Sequence, residues 1–324
     1  MSKVTINDVA RVSGYGIGTV SRVLQGDGSV KESTRAKILK VIDELHYTPN
    51  VNGARLRQKH SKVIAVLVPI INHPVFAEFV ENIESAANEQ GYSVLLVSSQ
   101  MNVERESDIL KKIKRKEVDG AIFITHYEHD GEDLEGCPLV SVDRHLNHSI
   151  PFVSSDNYQA SKQAIELLIS HGDTKIGYIG TKPFVKSEVS LREQAYIDTM
   201  NEHGLEIRLM NDSVEHGKEE QLVDSFFNKY PDVDAVFASG NTLSQLAYRK
   251  LNELGRDVPR EVELIGYDGV FSAWDNTVSI SSIQQPIKEM AQASFTILTK
   301  LINGQAVEQK NIFNTRFIKG NTTR

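Results

Sequence analysis

The sequence predicts a mixed α/β chain: a small all-α unit at the N-terminus, then a long body of parallel sheets covered by helices. Three observations predict it. In residues 1–60 apolar side chains recur at three- and four-residue steps, and no stretch there reads as a strand. From Lys62 onward short β-rich runs alternate with amphipathic stretches, the rhythm of strands joined by crossover helices. The charge divides at the same place. Residues 1–60 hold ten Lys/Arg and five Asp/Glu, so a head of +5 precedes a remainder of −12 in a chain of net charge −7. A basic head on an acidic body suggests a nucleic-acid module joined to something else.

The first helix is expected to start at Thr5, which can cap it, with Asp8 three positions on as a capping-box variant. Ile6, Val9 and Ala10 face inward, and Gly14 ends it. The second runs from about Ile17 to Gln25 on Val20, Val23 and Leu24, until Gly26-Asp27-Gly28 stops it. The third runs from about Lys31 to His46 on Ile38, Val41, Ile42 and Leu45, and Pro49 closes the unit. Asn50–His60 is polar and basic with one large apolar residue, Leu56, and reads as a linker able to become a helix.

In the body the strand-like runs are VIAVLVP (63–69), YSVLLVS (92–98), GAIFIT (120–125), LVSVD (139–143), KIGYIG (175–180), AVFAS (235–239) and ELIGYD (263–268). Helical stretches Phe76–Gln90, Glu104–Lys116, Gln159–His171, Leu191–His203, Glu219–Lys229 and Leu243–Leu254 lie between them. That is enough for two sheet layers in series. With 324 residues the chain exceeds one small core. No apolar run approaches the ~20 residues of a membrane span, and MSKVTINDVA lacks the apolar core of a signal peptide. Cys137 is the only cysteine, so no internal disulfide forms, which fits a reducing compartment. The expected location is the cytoplasm, with no membrane partner.

The stretch SGYGIGTVSRV (13–23) packs Gly14, Gly16 and Gly18 at the mouth of a helix. A dinucleotide-type phosphate loop needs a strand before its glycines, and a helix precedes these. A helix-turn-helix explains each one. Gly14 takes the positive φ of the turn, and Gly16 sits at the N-cap of the second helix. Gly18 lies on the first turn, the part that meets base edges in a major groove.

TINDVARVSGYGIGTVSRVLQG resembles the opening of the LacI/GalR family of bacterial transcription regulators, with its T-I-x-D-V-A and T-V-S-R-V pattern. VKESTRAKILKVIDELHYTPN resembles the family's third helix, and ARLRQKHS its hinge. DNYQASKQAIELLISHGDTKIGYIG, SLREQAY, LIGYDG and SSIQQP extend the resemblance over essentially the whole chain. It implies a helix-turn-helix domain (1–48), a hinge helix or linker (49–60) and a periplasmic-binding-protein-like core (61–324) of two doubly wound αβ subdomains. The first subdomain is expected at about 61–157 and 286–307, the second at about 158–285 and 308–324.

The resemblance also implies roles. The second helix should lie in the major groove of a palindromic double-stranded operator. Ile17 and Gly18 fall at positions that vary with operator sequence. Thr5, Thr19, Ser21 and Arg22 match DNA-contacting positions, Arg22 suiting a bidentate contact to guanine. Tyr15 and Gly16 depart from the family's usual valine and serine, so the recognition helix loses a side-chain cap. Asn50 belongs to the DNA-dependent hinge, and Leu56 matches a minor-groove wedge. Gly53 stands where alanine is common and should make that hinge costlier to fold.

In the core, Arg192 matches the residue that grips the effector and Asp268 the one that accepts sugar hydroxyls. Asn241, Asp143, Thr125 and Gln285 match further polar positions, while Phe76 and Trp274 offer apolar or stacking faces. Gly269 departs from a second acidic residue that some members carry. Arginine with aspartates fits a neutral sugar, and GYDG resembles members answering to sucrose. His73, His126 and His129 lack the spacing of a metal set. No catalytic constellation, cofactor or metal site is expected. The implied protein is a homodimeric repressor of a carbohydrate-utilisation operon, released by a small sugar. The ending at Arg324 without a leucine-heptad tail argues against a family-type tetramer. One alternative is a catabolite-type regulator with a phosphorylated carrier protein as co-repressor. The other is a sugar-binding transport protein, against which the DNA head argues.

Overall fold

The computed structural model describes residues 4–24, 26–47, 60–100, 102–125, 134–182, 187–213, 217–269 and 279–324. The chain divides into two compact units, Met1–Ser61 and Lys62–Arg324.

In the first unit α1 (Ile6–Ser13), α2 (Ile17–Leu24) and α3 (Glu32–Glu44) pack around buried Val9, Val20, Val23 and Ile38. Their ends follow local chemistry. Asp8 accepts the Thr5 backbone N–H at 3.0 Å and the Thr5 hydroxyl at 2.7 Å. Those bonds, with Arg11 beside them, hold the Asp8 carboxyl down at about 2. Gly14 closes α1 at φ 73° and returns its N–H to the Ala10 carbonyl, a conformation that a Cβ would strain. The Gly16 carbonyl accepts from Thr19 and Val20 N–H at 2.9 and 3.1 Å. Gly16 is therefore the start of α2, with no side chain to cap it. α3 stops at Glu44, short of the expected His46, where the backbone turns at φ 46°.

The second unit runs β1 (Val63–Val68), α4 (Pro74–Glu89), β2 (Ser93–Ser98), α5 (Val103–Lys114), β3 (Gly120–Phe123), β4 (Leu139–Val142) and β5 (Phe152–Ser155). It continues through α6 (Asn157–Ser170), β6 (Ile176–Thr181), α7 (Ser190–Glu202), β7 (Arg208–Asp212), α8 (Glu219–Lys229), β8 (Ala235–Ala238) and α9 (Asn241–Glu253). Then follow β9 (Glu263–Asp268), β10 (Ser281–Gln284), α10 (Ile287–Ile302), β11 (Lys310–Phe313) and β12 (Arg316–Ile318). One sheet has the order β11-β5-β4-β3-β1-β2 and the other β12-β10-β9-β8-β6-β7, so the two are built alike. Every pairing is parallel except β10 with β12.

Helices cover both faces of each sheet, which makes central strands apolar throughout. In β1, Ile64, Val66 and Val68 face Phe79, Ile83 and Phe295, while Ala65 and Leu67 face Leu110 and Phe123. The second sheet buries Phe226 and Leu251 on one side and Tyr196 and Ile165 on the other.

The chain crosses between sheets three times: after β5, after β10 and after β11. The third crossing corrects the expected boundary. Residues 308–324 do not all join the second sheet, because Lys310–Phe313 pairs with Phe152–Ser155 of the first. The reason is edge satisfaction: without β11, the outer side of β5 would present unpaired backbone groups. The Phe152 N–H reaches the Gln309 carbonyl, and the Asp156 N–H reaches the Phe313 carbonyl, both at 2.9 Å. No helix among the described residues is long and apolar enough to cross a membrane.

Candidate functional site

On the first unit, the start of α2 is its outward surface. Ile17 is 41% exposed, an unusual place for a large apolar side chain. Gly18 and Arg22 are exposed beside it, and Thr19 and Ser21 are half-buried. A Cβ added at Gly18 would meet nothing within 4 Å, so its lack of a side chain answers no internal packing need. Thr5 is exposed and already bonded to Asp8. Asn50 and Leu56 lie outside the described residues, as does Gly53.

On the second unit, the C-terminal ends of strands from both sheets converge on one cavity of about 210 Å³. Such strand ends are where open parallel sheets place ligands. Six expected residues line it: Phe76, Asp143, Arg192, Asn241, Asp268 and Gln285.

Arg192, from the first turn of α7, is 3% exposed. Its Nε donates to Asn157 Oδ1 at 2.7 Å, and Nη1 donates to the Ser239 carbonyl at 2.6 Å. Its guanidinium lies 3.5 Å above the Tyr267 ring centroid, and Nη1 is 3.7 Å from Asp268 Oδ1. A buried guanidinium held by a ring face, two acceptors and a carboxylate has a fixed direction. Asp268 ends β9 at φ 82°. It accepts the Asn241 N–H at 3.1 Å, at the start of α9, and Gln285 Nε2 at 2.7 Å. Gln285 in turn accepts the Ser155 hydroxyl at 2.9 Å. The crossover residue Gln285 thus ties the end of β5 in one sheet to Asp268 in the other.

Asp143 follows β4 in the place that Asp268 holds at the end of β9, and it too has positive φ, 58°. Ser154 donates to its Oδ1 at 2.6 Å. Burial pushes the Asp143 carboxyl up, opposed by the nearby Arg192 guanidinium. Left-handed backbone at two non-glycine site residues is strain of the kind found at ligand sites. His73 and Phe76 stack with centroids 4.7 Å apart and supply the apolar wall.

Beside the cavity a clasp joins the two halves of the core. Arg144 and Ser187 form an isolated antiparallel bridge. The Glu188 N–H and Ser187 hydroxyl donate to the Asp143 carbonyl at 3.0 and 2.9 Å, and His145 Nε2 meets Glu188 Oε1 at 2.7 Å.

Two expectations for the cavity change. Thr125 does not line it: the side chain is 1% exposed and its hydroxyl donates to the buried Glu106 carboxylate. It follows β3 at a position aimed back at α5, so its strand-end location alone was misleading. Trp274 falls outside the described residues, as do His126 and His129. Conversely, His73, Arg144, Ser239 and Glu219 line the cavity without having been expected to. Arg144 had a signal, since it adjoins Asp143. Side chains of adjacent strand residues point to opposite faces, but the positive φ at Asp143 ends that alternation and lets both reach the cavity. Gly269 also gains a reason: at φ 62°, a Cβ would stand 2.6 Å from the Gln284 Cα, leaving no space for the acidic residue of other members.

Residues 5–50 match the bacterial regulatory proteins of the lacI family, and residues 61–321 match the periplasmic binding proteins and sugar binding domain of the LacI family. The chain belongs to the LacI family. A ribose operon repressor of Halalkalibacterium halodurans is 28% identical over 94% of this chain and 92% of its own. The lac repressor dimer bound to operator and the anti-inducer ONPF shares the fold, with TM-score 0.85, 22% identity and 99% of both chains covered. The transcriptional regulator CelR in complex with cellobiose has TM-score 0.73 and 26% identity, covering 99% of this chain and 100% of its own. As a LacI-family regulator, this chain joins a DNA-binding helix-turn-helix domain to a sugar-binding domain.

Proposed function

We propose that this regulator works in the cytoplasm as a homodimer and represses a carbohydrate-utilisation operon until a small sugar enters the core cavity. The observation that carries this reading is the Arg192–Asp268 pair, buried, oriented and still facing a cavity at the meeting of two sheets. Asp268, Asp143, Asn241 and Gln285 supply acceptors and donors for hydroxyls, Arg192 grips a ring or hydroxyl oxygen, and Phe76 covers an apolar ring face. The chemistry is recognition, and no residue is assigned a catalytic role.

At the DNA, the exposed start of α2 enters the major groove. Ile17 and Gly18 touch base edges, Arg22 pairs with guanine, and Thr5, Thr19 and Ser21 hold phosphates. Asn50 and Leu56 act in the hinge. Coupling needs a ligand with different affinities for two arrangements of the core. The cavity provides for this, because its residues come from both sheets and Gln285 lies in a crossover between them.

The test is fluorescence anisotropy with palindromic DNA selected by the protein from a random-half-site library. A palindrome bound at nanomolar protein and released by one sugar supports the reading. A complex that forms only with a phosphorylated carrier protein, and ignores every sugar, overturns it in favour of the catabolite type. No DNA binding at low salt overturns it outright.

A further inference from the structure

Two guanidiniums face the cavity, and only one is compensated. Arg192 has Asp268, Asn157, the Ser239 carbonyl and the Tyr267 ring. Arg144 has less. Its Nη1 donates to the Asp143 backbone carbonyl at 3.3 Å and to the Ser187 hydroxyl. Its Nε is buried with no acceptor, and no carboxylate among the described residues forms an ion pair with it. The Nε–Nη2 edge is the one that pairs bidentately with carboxylate or phosphate.

The carboxylates of the cavity have other partners. Asp268 faces Arg192, Asn241 and Gln285. Asp143 accepts from Ser154, and burial pushes its carboxyl up, which weakens it as a counter-ion. Glu219 accepts the Gly217 N–H at 2.8 Å. Burial draws the Arg144 guanidinium down to about 10, with Asp143 opposing and Arg192 reinforcing the change. It therefore remains cationic at neutral pH. A desolvated cation without a counter-ion is costly unless something brings the opposite charge.

We propose that the effector is an anionic sugar, a sugar acid or a sugar phosphate, whose charged oxygens are bound by the free edge of Arg144 while Arg192 and Asp268 hold the hydroxyls. This rests on the sugar-cleft reading above and replaces its neutral ligand with a charged one. Arg144 then decides specificity, and the clasp to Ser187 fixes the direction of its guanidinium.

The experiment is calorimetric titration of the full chain with matched probes at constant ionic strength: glucose, glucuronate, gluconate and glucose 6-phosphate, then the ribose, ribonate and ribose 5-phosphate set. A charged member should bind at least about 10-fold tighter than its neutral parent, as a charge-assisted contact gives. Whether the acid or the phosphate binds tighter identifies the source of the anion. Arg144→Met should bring the charged-to-neutral ratio close to one, and Arg144→Lys should keep part of it. Ser187→Ala breaks the clasp but leaves the charge, so it should preserve a preference for the anion. Should Arg144→Met fail to fold, the Lys variant and the salt dependence of wild-type affinity still decide. A neutral sugar binding as tightly as its charged partners, or a preference that survives Arg144→Met, overturns this inference and leaves the sugar-cleft reading standing. If neither charged nor neutral sugars bind, both fall.

Discussion

Arg192 and Asp268 lie 3.7 Å apart with side chains only 4% and 10% exposed, and each is held by further partners on a different element. Removing one partner of such a pair leaves the other charge buried and uncompensated. Arg192→Ala should therefore lower unfolding free energy by about 3 kcal/mol or more and abolish effector binding. Asp268→Asn, which keeps the shape, should lose binding with a smaller stability loss. Urea unfolding and ligand titration of the two variants check this. Wild-type stability in Arg192→Ala would show that the pair is not the keystone described.

Gly269 makes a second, sharper prediction. Its φ of 62° and the 2.6 Å approach of a Cβ to the Gln284 backbone leave no room for a side chain. Gly269→Ala should destabilise by roughly 1–3 kcal/mol through combined strain and overlap, and Gly269→Asp by at least as much. The expected readout is a lower urea midpoint together with weaker effector binding, because Asp268 is the preceding residue. An unchanged midpoint would contradict the close approach.

The third prediction concerns pH. Burial and the nearby Glu263 carboxylate raise the Asp173 carboxyl from 3.8 to about 6, against the pull of Arg324. A carboxyl raised in the folded state binds more protons folded than unfolded between those values. Stability from this group thus falls as pH rises from about 4 to about 6. Asp8 has the opposite sign: held at about 2, its contribution is present above the unfolded value and is lost only as pH falls toward 2. Urea midpoints at pH 4.5 and 7 should therefore differ from wild type in Asp173→Asn, the variant gaining relative stability at pH 7. Equal differences at both pH values would refute the assignment.

Gly16 tests the DNA head. Gly16→Ser supplies the missing N-cap, which should slow amide exchange in the first turn of α2 and stabilise it by a few tenths of a kcal/mol. Operator affinity should rise slightly. By contrast, Arg22→Ala should weaken operator binding by about 1–3 kcal/mol and relax selectivity at a single base pair. Anisotropy titrations with single-base operator variants separate the two effects.

Much of this fold is legible in the sequence because its strongest signals are periodic or stereochemical. Gly14 needs positive φ whatever surrounds it, and VIAVLV is apolar at every position because β1 is covered on both faces. The short strands FVSS, SSIQ and KNIF carry no such signal, since serine and asparagine there serve hydrogen bonds and edges. That is why the crossover after β11 was misplaced. Within the cavity, Arg192, Asp268 and Asp143 stand in recognisable motifs. Thr125 shared their strand-end position but points to Glu106, a contact only three-dimensional packing determines. Arg144 was overlooked because its orientation depends on the left-handed turn at Asp143.

The central claim is that occupancy of this cavity governs DNA binding. The most direct measurement is operator affinity of the wild type and Arg192→Ala, each with and without a saturating sugar that binds the wild type. The account predicts that the sugar weakens the wild-type complex at least about 10-fold, within the usual range of coupling energies, and leaves the Arg192→Ala complex unchanged. Equal release of both proteins, or release of neither by a sugar bound to the wild type, would contradict it.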